Sequence, residues 1–385
     1  MGRNTALVAM LLTVALVAGA CAGPTATDAP TQPPATDAPA TDAPATDAPA
    51  TDAPASPPPD GEGFLACMVS DTGGIDDRSF NQNGWEGMEQ AEADFGIEAR
   101  FLESTTAEDY ARNINQHISD GCDIIITVGF LLGDDTRIAA EANPDQRFAI
   151  VDFAYEPALP NVEGLVYNTA EAAMLAGYAS ASWTRTKAMG TFGGINIGGP
   201  VTDFMDGFIA GANYWNEEQG DTVRVLGGRD PNDPSSGTFT GDFDSTDNAR
   251  AVSVGMLQEG ADVILPVGGP IGQGTFAAIE ELDVEAVGLG VDVDWTRTVP
   301  EYADLMLTHI LKRIDVSVYQ AIARAINDTE PAPVFVSDLE NGGVGLGEFH
   351  DYDDQISDEV KAGIEALRQA IIADEVAPSD YYSAP

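Results

Sequence analysis

Lysine is almost absent from this chain: Lys187, Lys312 and Lys361 are its only examples in 385 residues, and all Lys and Arg together number 17 against 63 Asp and Glu, a formal charge of -46. Such an excess repels nucleic-acid backbones and anionic lipid headgroups, which excludes both as simple partners. It is best explained as adaptation to high salt, where screening blunts self-repulsion. Histidine and cysteine are equally scarce, at three each. There is no Cys-x-x-Cys pair and no His-rich cluster, so neither a metal site nor a cofactor is expected. His117 and His309 fall in stretches read as helix and His350 in a late loop, so general-base histidine chemistry has no place at a strand end. Gly-x-Ser-x-Gly and His-Glu-x-x-His are also missing, which removes the marks of two hydrolase classes. Among 63 acids a glycosidase-like carboxylate pair arises by chance and signals nothing.

Large apolar side chains are missing from residues 22–63, where Ala, Thr, Asp and Pro repeat as "TDAPA". Such a stretch has nothing to bury, and its prolines block helix and sheet ladders, so an extended, solvated tether is expected. Before it, "NTALVAMLLTVALVAGA" (residues 4–20) is a secretory signal that ends in Ala18-Gly19-Ala20-Cys21. That ending looks like a lipoprotein cleavage site, with Ala18 where Leu is preferred, and it makes Cys21 the expected lipid attachment point. The remaining cysteines, Cys67 and Cys122, sit at or near strands; they read as buried thiols, with a disulfide open to them outside the cell.

From Phe64 onward, apolar runs of four to six residues alternate with amphipathic stretches of ten or more. "FLACMV", "EARFLE", "DIIITVG" and "RFAIVD" read as strands and the segments between them as helices. A second series follows the helix 169–185, with strands in "KAMGTFGG", "TVRVLGG", "DVILPVGG" and "VEAVGLGVD". This is an α/β pattern with parallel sheets covered on both faces, in two similar lobes. The expected organisation is a signal at 1–21, the tether at 22–63, a first lobe at 64–185 and 302–372, a second lobe at 186–301 and a flexible tail at 373–385. A return to the first lobe makes several segments cross between lobes, which gives a hinge with a cleft.

In open parallel sheets ligands bind beyond the carboxyl ends of the strands. Those positions hold Asp71, Asp77, Phe80 and Asn81, then Phe130 and Asp134, Asp152, "GTFTGDFDSTD" with Phe243, Gly268 and Gly269, and finally Asp292. Phenylalanine faces suit a flat ring, Asn offers donor and acceptor to an amide-like edge, and a carboxylate accepts two sugar hydroxyls. Plainer readings exist. Asp71 and Asp77 could cap the turn and the next helix, Phe80 could anchor a core, and "GGPIGQG" could be an ordinary turn without the Lys-Ser/Thr of a phosphate loop.

"DTGGIDDRSFNQNGWEG" is similar to the opening signature of the basic membrane protein family, substrate-binding lipoproteins of ABC importers that include purine nucleoside receptors. The resemblance continues through "DIIITVGF", "ANPDQRFAIVD", "TAEAAMLAGYAS", "FMDGFIAGANY", "GADVILPVGGPIGQG", "VGLGVDVD" and "LTHILKRIDVSVYQAI", about residues 64–370. It implies a type I periplasmic-binding-protein fold whose two Rossmann-like lobes, joined by a multi-crossover hinge, close on a nucleoside. It implies a base held between Phe80 and Phe243, base recognition by Asn81 and Asp152, the turn Gly268-Gly269, and a ribose held by Asp292. Lys312 would reach the ribose or fix Asp292. It further implies a monomer on the outer face of the cell membrane, working with ABC permease subunits and breaking no bond of its ligand. A sugar-binding protein, a nucleoside-processing enzyme and an adhesion or signalling module are the alternatives.

Overall fold

In a computed structural model describing residues 60–382 apart from Pro231 and Pro234, the alternation of apolar and amphipathic segments is realised as two sheets of six strands. The leader, the tether, Cys21 and residues 383–385 lie outside the described residues. The chain begins with β1 (Leu65–Ser70), α1 (Phe80–Phe95), β2 (Glu98–Leu102), α2 (Tyr110–Asp120), β3 (Ile124–Val128), α3 (Gly133–Ala142), β4 (Arg147–Val151) and β5 (Val162–Tyr167). It crosses into α4 (Thr169–Trp183), β6 (Ala188–Gly193), α5 (Gly199–Gln219), β7 (Arg224–Leu226), α6 (Thr246–Gln258) and β8 (Val263–Val267). There follow α7 (Gln273–Leu282), β9 (Val287–Asp292), α8 (Trp295–Thr298) and β10 (Met306–Lys312). It crosses back into α9 (Ile314–Ile326) and β11 (Val334–Ser337), and a third time into β12 (Val344–Leu346), α10 (Asp358–Ile372) and α11 (Pro378–Tyr381).

The first sheet runs β11-β5-β4-β3-β1-β2, all parallel, and the second β12-β10-β9-β8-β6-β7, parallel except for β12. Central strands such as β3, "IIITV", are buried along their whole length, as a sheet covered on both faces requires. The two orders match position by position, so β3, β4 and β5 of one lobe correspond to β8, β9 and β10 of the other.

This layout corrects the expected lobe boundaries. The segment 302–372 divides between lobes: β10 and β12 complete the second sheet and β11 the first. Helix α9 packs on α1, where Gly87 lets the Asp315 carbonyl approach to 2.4 Å from where a Cβ would stand. Helix α4, assigned by sequence to the first lobe, lies along α5, because Gly177 and Gly211 let the two backbones meet: a Cβ at Gly211 would stand 2.0 Å from the Met174 carbonyl. The first crossing therefore falls between Tyr167 and Thr169, upstream of the expected boundary. The tail also differs, for α11 docks on α5, with Asn213 donating to the Tyr381 carbonyl (2.8 Å) and Tyr382 to the Arg229 carbonyl (2.8 Å). Cys67 and Cys122 are joined as a disulfide, since β1 and β3 are neighbours and bring the Cα atoms to 6.0 Å. No helix among the described residues is long and apolar enough to cross a membrane.

Candidate functional site

The ends of corresponding strands face each other across the interlobe cleft. Asp152 follows β4 and Asp292 ends β9; both hold left-handed backbone, with φ of 67° and 68°. Gly129 follows β3 and Gly268 follows β8, with φ of 121° and 149°, where a side chain would be strained. Space forbids one as well, because a Cβ at Gly129 would lie 2.4 Å from Asp71 Oδ2.

The loop after β1 is organised by Asp77. Its carboxylate accepts from the backbone N–H of Ser79 (2.9 Å), Asn81 (2.8 Å) and Gln82 (3.1 Å), satisfying the otherwise unpaired donors that open α1. Asn81 Nδ2 then donates to Asp71 Oδ1 (2.8 Å) and Asp77 Oδ2 (3.2 Å). With both amide protons committed to carboxylates, Oδ1 of Asn81 is left buried without a hydrogen-bond partner among the described residues. A buried acceptor of this kind costs stability unless something donates to it. Burial drives the Asp71 carboxyl well above the usual range, against the lowering effect of the Asn81 bond.

Lys312 is fully buried at the end of β10 and donates to Asp152 Oδ2 at 2.7 Å. Its ammonium also lies over the rings of Tyr167 (4.9 Å), Phe80 (5.1 Å) and Phe204 (5.7 Å). Burial raises the Asp152 carboxyl, while the Lys312 charge and hydrogen bond pull it down. Burial lifts Asp292 to about 6, opposed by the Lys312 charge and by the Ser79 hydroxyl, which donates to its Oδ2 at 3.0 Å. The hydrogen bond of Lys312 thus goes to Asp152 and not to Asp292 as the resemblance allowed, Asp292 accepting from Ser79 instead. Both this ion pair and the Ser79–Asp292 bond span the two lobes, as does the exposed Arg78–Glu301 pair at the rim (2.7 Å).

Of the residues read from the sequence, Asp71, Asp77, Phe80, Asn81, Phe130, Asp152, Phe243, Gly268, Gly269, Asp292 and Lys312 line this one cleft. Asp134 does not: its side chain is 92% exposed and 3.6 Å from Arg137, since the first turn of α3 points it outward. Sequence reasoning missed the second lobe's apolar wall of Ile197, Pro200, Val201 and Phe204. The signal was there, in a Pro just after a glycine pair, which opens α5 at Gly199. Phenylalanines thus enter from both lobes, Phe80 and Phe130 from the first and Phe204 and Phe243 from the second, beside a polar edge of Asn81, Asp71, Asp152, Asp292 and Lys312. No His or Cys lines the cleft; His117 instead bonds the Met68 carbonyl at 3.0 Å, a structural role. The arrangement is suited to holding a flat molecule with polar edges.

The family of ABC transporter substrate-binding proteins described as PnrA-like matches residues 64–380. The chain is 29% identical over 331 residues to the CD4+ T-cell-stimulating antigen of Listeria monocytogenes serovar 1/2a, covering 81% of this chain and 87% of that protein. It is 26% identical over 324 residues to the ABC transporter nucleoside-binding protein BmpA of Lactococcus lactis subsp. cremoris, covering 80% and 86%. Among solved structures it resembles an ABC transporter solute-binding protein of Aeropyrum pernix K1, with a TM-score of 0.72 at 24% identity over 82% of this chain and 92% of that one.

Proposed function

The chain belongs to the PnrA-like family of ABC transporter substrate-binding proteins, and we propose that its cleft takes a nucleoside, most simply a purine nucleoside. Membership makes it an extracytoplasmic, membrane-anchored solute-binding lipoprotein of an importer, with the bilobed periplasmic-binding-protein fold and no catalytic task. The finer reading rests on one observation above the others: aromatic rings from both lobes flank a cleft whose polar edge ends in the unpartnered Asn81 Oδ1. A ring N–H or amino group on a base supplies the missing donor. Asp292, with Asp152 and Lys312 close by, supplies the charge-assisted partners that ribose hydroxyls require. A relative named as a nucleoside-binding protein supports the same reading.

Ligand binding would favour the closed arrangement of the lobes, and the permease would recognise that shape. A lipid on Cys21 and the tether at 22–63 would hold the body near the membrane. A free sugar is the second reading; it uses the carboxylates but leaves the Asn81 acceptor and four phenylalanine rings with less to do.

Native mass spectrometry of the purified protein, followed by thermal-shift screening of nucleosides, free sugars and amino acids, tests the proposal. Stabilisation by nucleosides alone is the expected result; stabilisation by sugars alone would replace it. Phe80→Ala is expected to weaken nucleoside binding by about tenfold, the scale of one lost aromatic stack and its buried area. Phe80 is half-buried at the mouth of α1, so the variant should melt as a cooperative fold. Melting beside titration separates the two readings: unchanged affinity with a lowered melting point would make Phe80 a core anchor.

A further inference from the structure

Two of the chain's three histidines meet at a place the cleft does not use. His309 on β10, His350 in the turn after β12 and Asp294 just before α8 offer one ligand atom each, all within 4.8 Å of one another. Asp294 Oδ2 lies 2.9 Å from His350 Nε2, and Asp294 Oδ1 lies 3.6 Å from His309 Nε2. We propose that Asp294, His309 and His350 form a binding site for a zinc-class divalent transition metal. The inference is independent of what the cleft takes.

The observation that points to a ligand is His309. Its side chain is fully buried, and neither ring nitrogen has a hydrogen-bond partner among the described residues. A neutral imidazole carries one donor and one acceptor, and leaving both unmet in an interior is costly. The space for the ring is provided by two glycines. A Cβ at Gly290 would stand 2.3 Å from His309 Cδ2, and one at Gly347 would stand 3.1 Å from His309 Cβ. A single carboxylate shared between the imidazoles leaves His309 short of a bond, whereas a cation among the three groups serves both rings.

The donor spacing suits such an ion. Ligands about 2.0–2.1 Å from a tetrahedral zinc are roughly 3.3 Å from each other, and Asp294 approaches both rings on that scale, its Oδ2 at 2.9 Å from His350 Nε2 and its Oδ1 at 3.6 Å from His309 Nε2. An outer partner is also in place. Thr296 donates to Asp294 Oδ1 from its backbone N (3.0 Å) and hydroxyl (2.6 Å), fixing the carboxylate. Two imidazoles and one carboxylate select zinc, cobalt, nickel or copper over magnesium or calcium, which prefer all-oxygen shells. A metal here would tie the loop leaving β9 to β10 and to the segment that follows β12.

The acidic surface binds divalent cations loosely, so the test uses the full chain, stripped with a chelator and held in excess Mg2+. Cobalt(II) is titrated by absorption and zinc(II) by calorimetry, with melting points alongside. The expected result is one tight equivalent, a tetrahedral-type cobalt spectrum that zinc abolishes, and a higher melting point with zinc. His350→Ala, whose side chain is part-exposed in a turn outside both sheets, and Asp294→Asn are expected to lose that equivalent and the zinc-dependent rise. Wild type binding no more metal than His350→Ala in excess Mg2+ would overturn the proposal, as would an octahedral cobalt spectrum unchanged by either substitution.

Discussion

Replacing Lys312 with methionine is expected to destabilise the protein by about 3–5 kcal/mol at neutral pH, the cost of breaking a buried ion pair from one side. Lys312 and Asp152 are 2.7 Å apart with side chains 2% and 7% exposed, so water cannot take over the role of the missing ammonium. The effect should depend on pH in a direction that can be worked out. Burial already raises the Asp152 carboxyl above its ordinary value, and Lys312 is what holds it down. Without the cation the folded variant keeps a proton on Asp152 that the unfolded chain releases, so its stability falls as pH rises from the unfolded carboxylate pKa toward neutrality. The deficit relative to wild type is therefore smallest in acid and grows toward pH 7. Asp152→Asn should cost less, because Lys312 retains three aromatic faces and the neighbouring Asp292 charge. The double variant Asp152→Asn/Lys312→Met should be more stable than Lys312→Met alone, since position 152 then carries no charge to be left unpaired. Urea denaturation of the four proteins at two pH values measures all of this. A Lys312→Met protein within about 1 kcal/mol of wild type at pH 7 would show that the pair is open to solvent.

Much of this was legible before the fold was known, and the gaps have physical causes. Strand ends were readable because a short apolar run followed by Gly or Asp marks both a strand and its exit. That rule located Asp152, Asp292 and Gly268, which the structure brings to one cleft. It failed at "MLTHILK", where a seven-residue stretch with helical neighbours on both sides was read as helix and is strand β10. The consequence is larger than one label. With β10 assigned to the first lobe, the rarity of lysine could single out Lys312 but not the fact that its bond to Asp152 crosses between lobes. Strand β5 and the edge strand β11 were also missed, β11 being half-exposed and only four residues long. The histidine–aspartate cluster had no sequence signature, because positions 294, 309 and 350 meet only after the third crossing.

Removing the carboxylate of Asp292 is the change expected to weaken the proposed nucleoside complex most. One charged hydrogen bond is worth about 1.5–3 kcal/mol, so Asp292→Ala should lose at least about tenfold in affinity by isothermal titration. Asp292 is buried, ends β9, and accepts a hydrogen bond from Ser79 of the first lobe. Ligand hydroxyls arriving there would therefore join or replace a bond that already links the lobes. Burial holds this carboxyl at about 6 without ligand. Hydroxyl donors favour the ionised form, so affinity should fall as pH drops below about 6, and the part of that fall due to Asp292 should be absent in Asp292→Asn. Stability should move the other way. A carboxylate whose folded pKa is raised disfavours the folded state above that pKa, so Asp292→Asn should be at least as stable as wild type at neutral pH. A residue kept for packing would show the reverse, with a lowered melting point and intact affinity. Unchanged nucleoside binding in Asp292→Ala would take Asp292 out of the site. The base-facing role of Asn81, which rests on an independent acceptor, would still stand to be tested by Asn81→Ala.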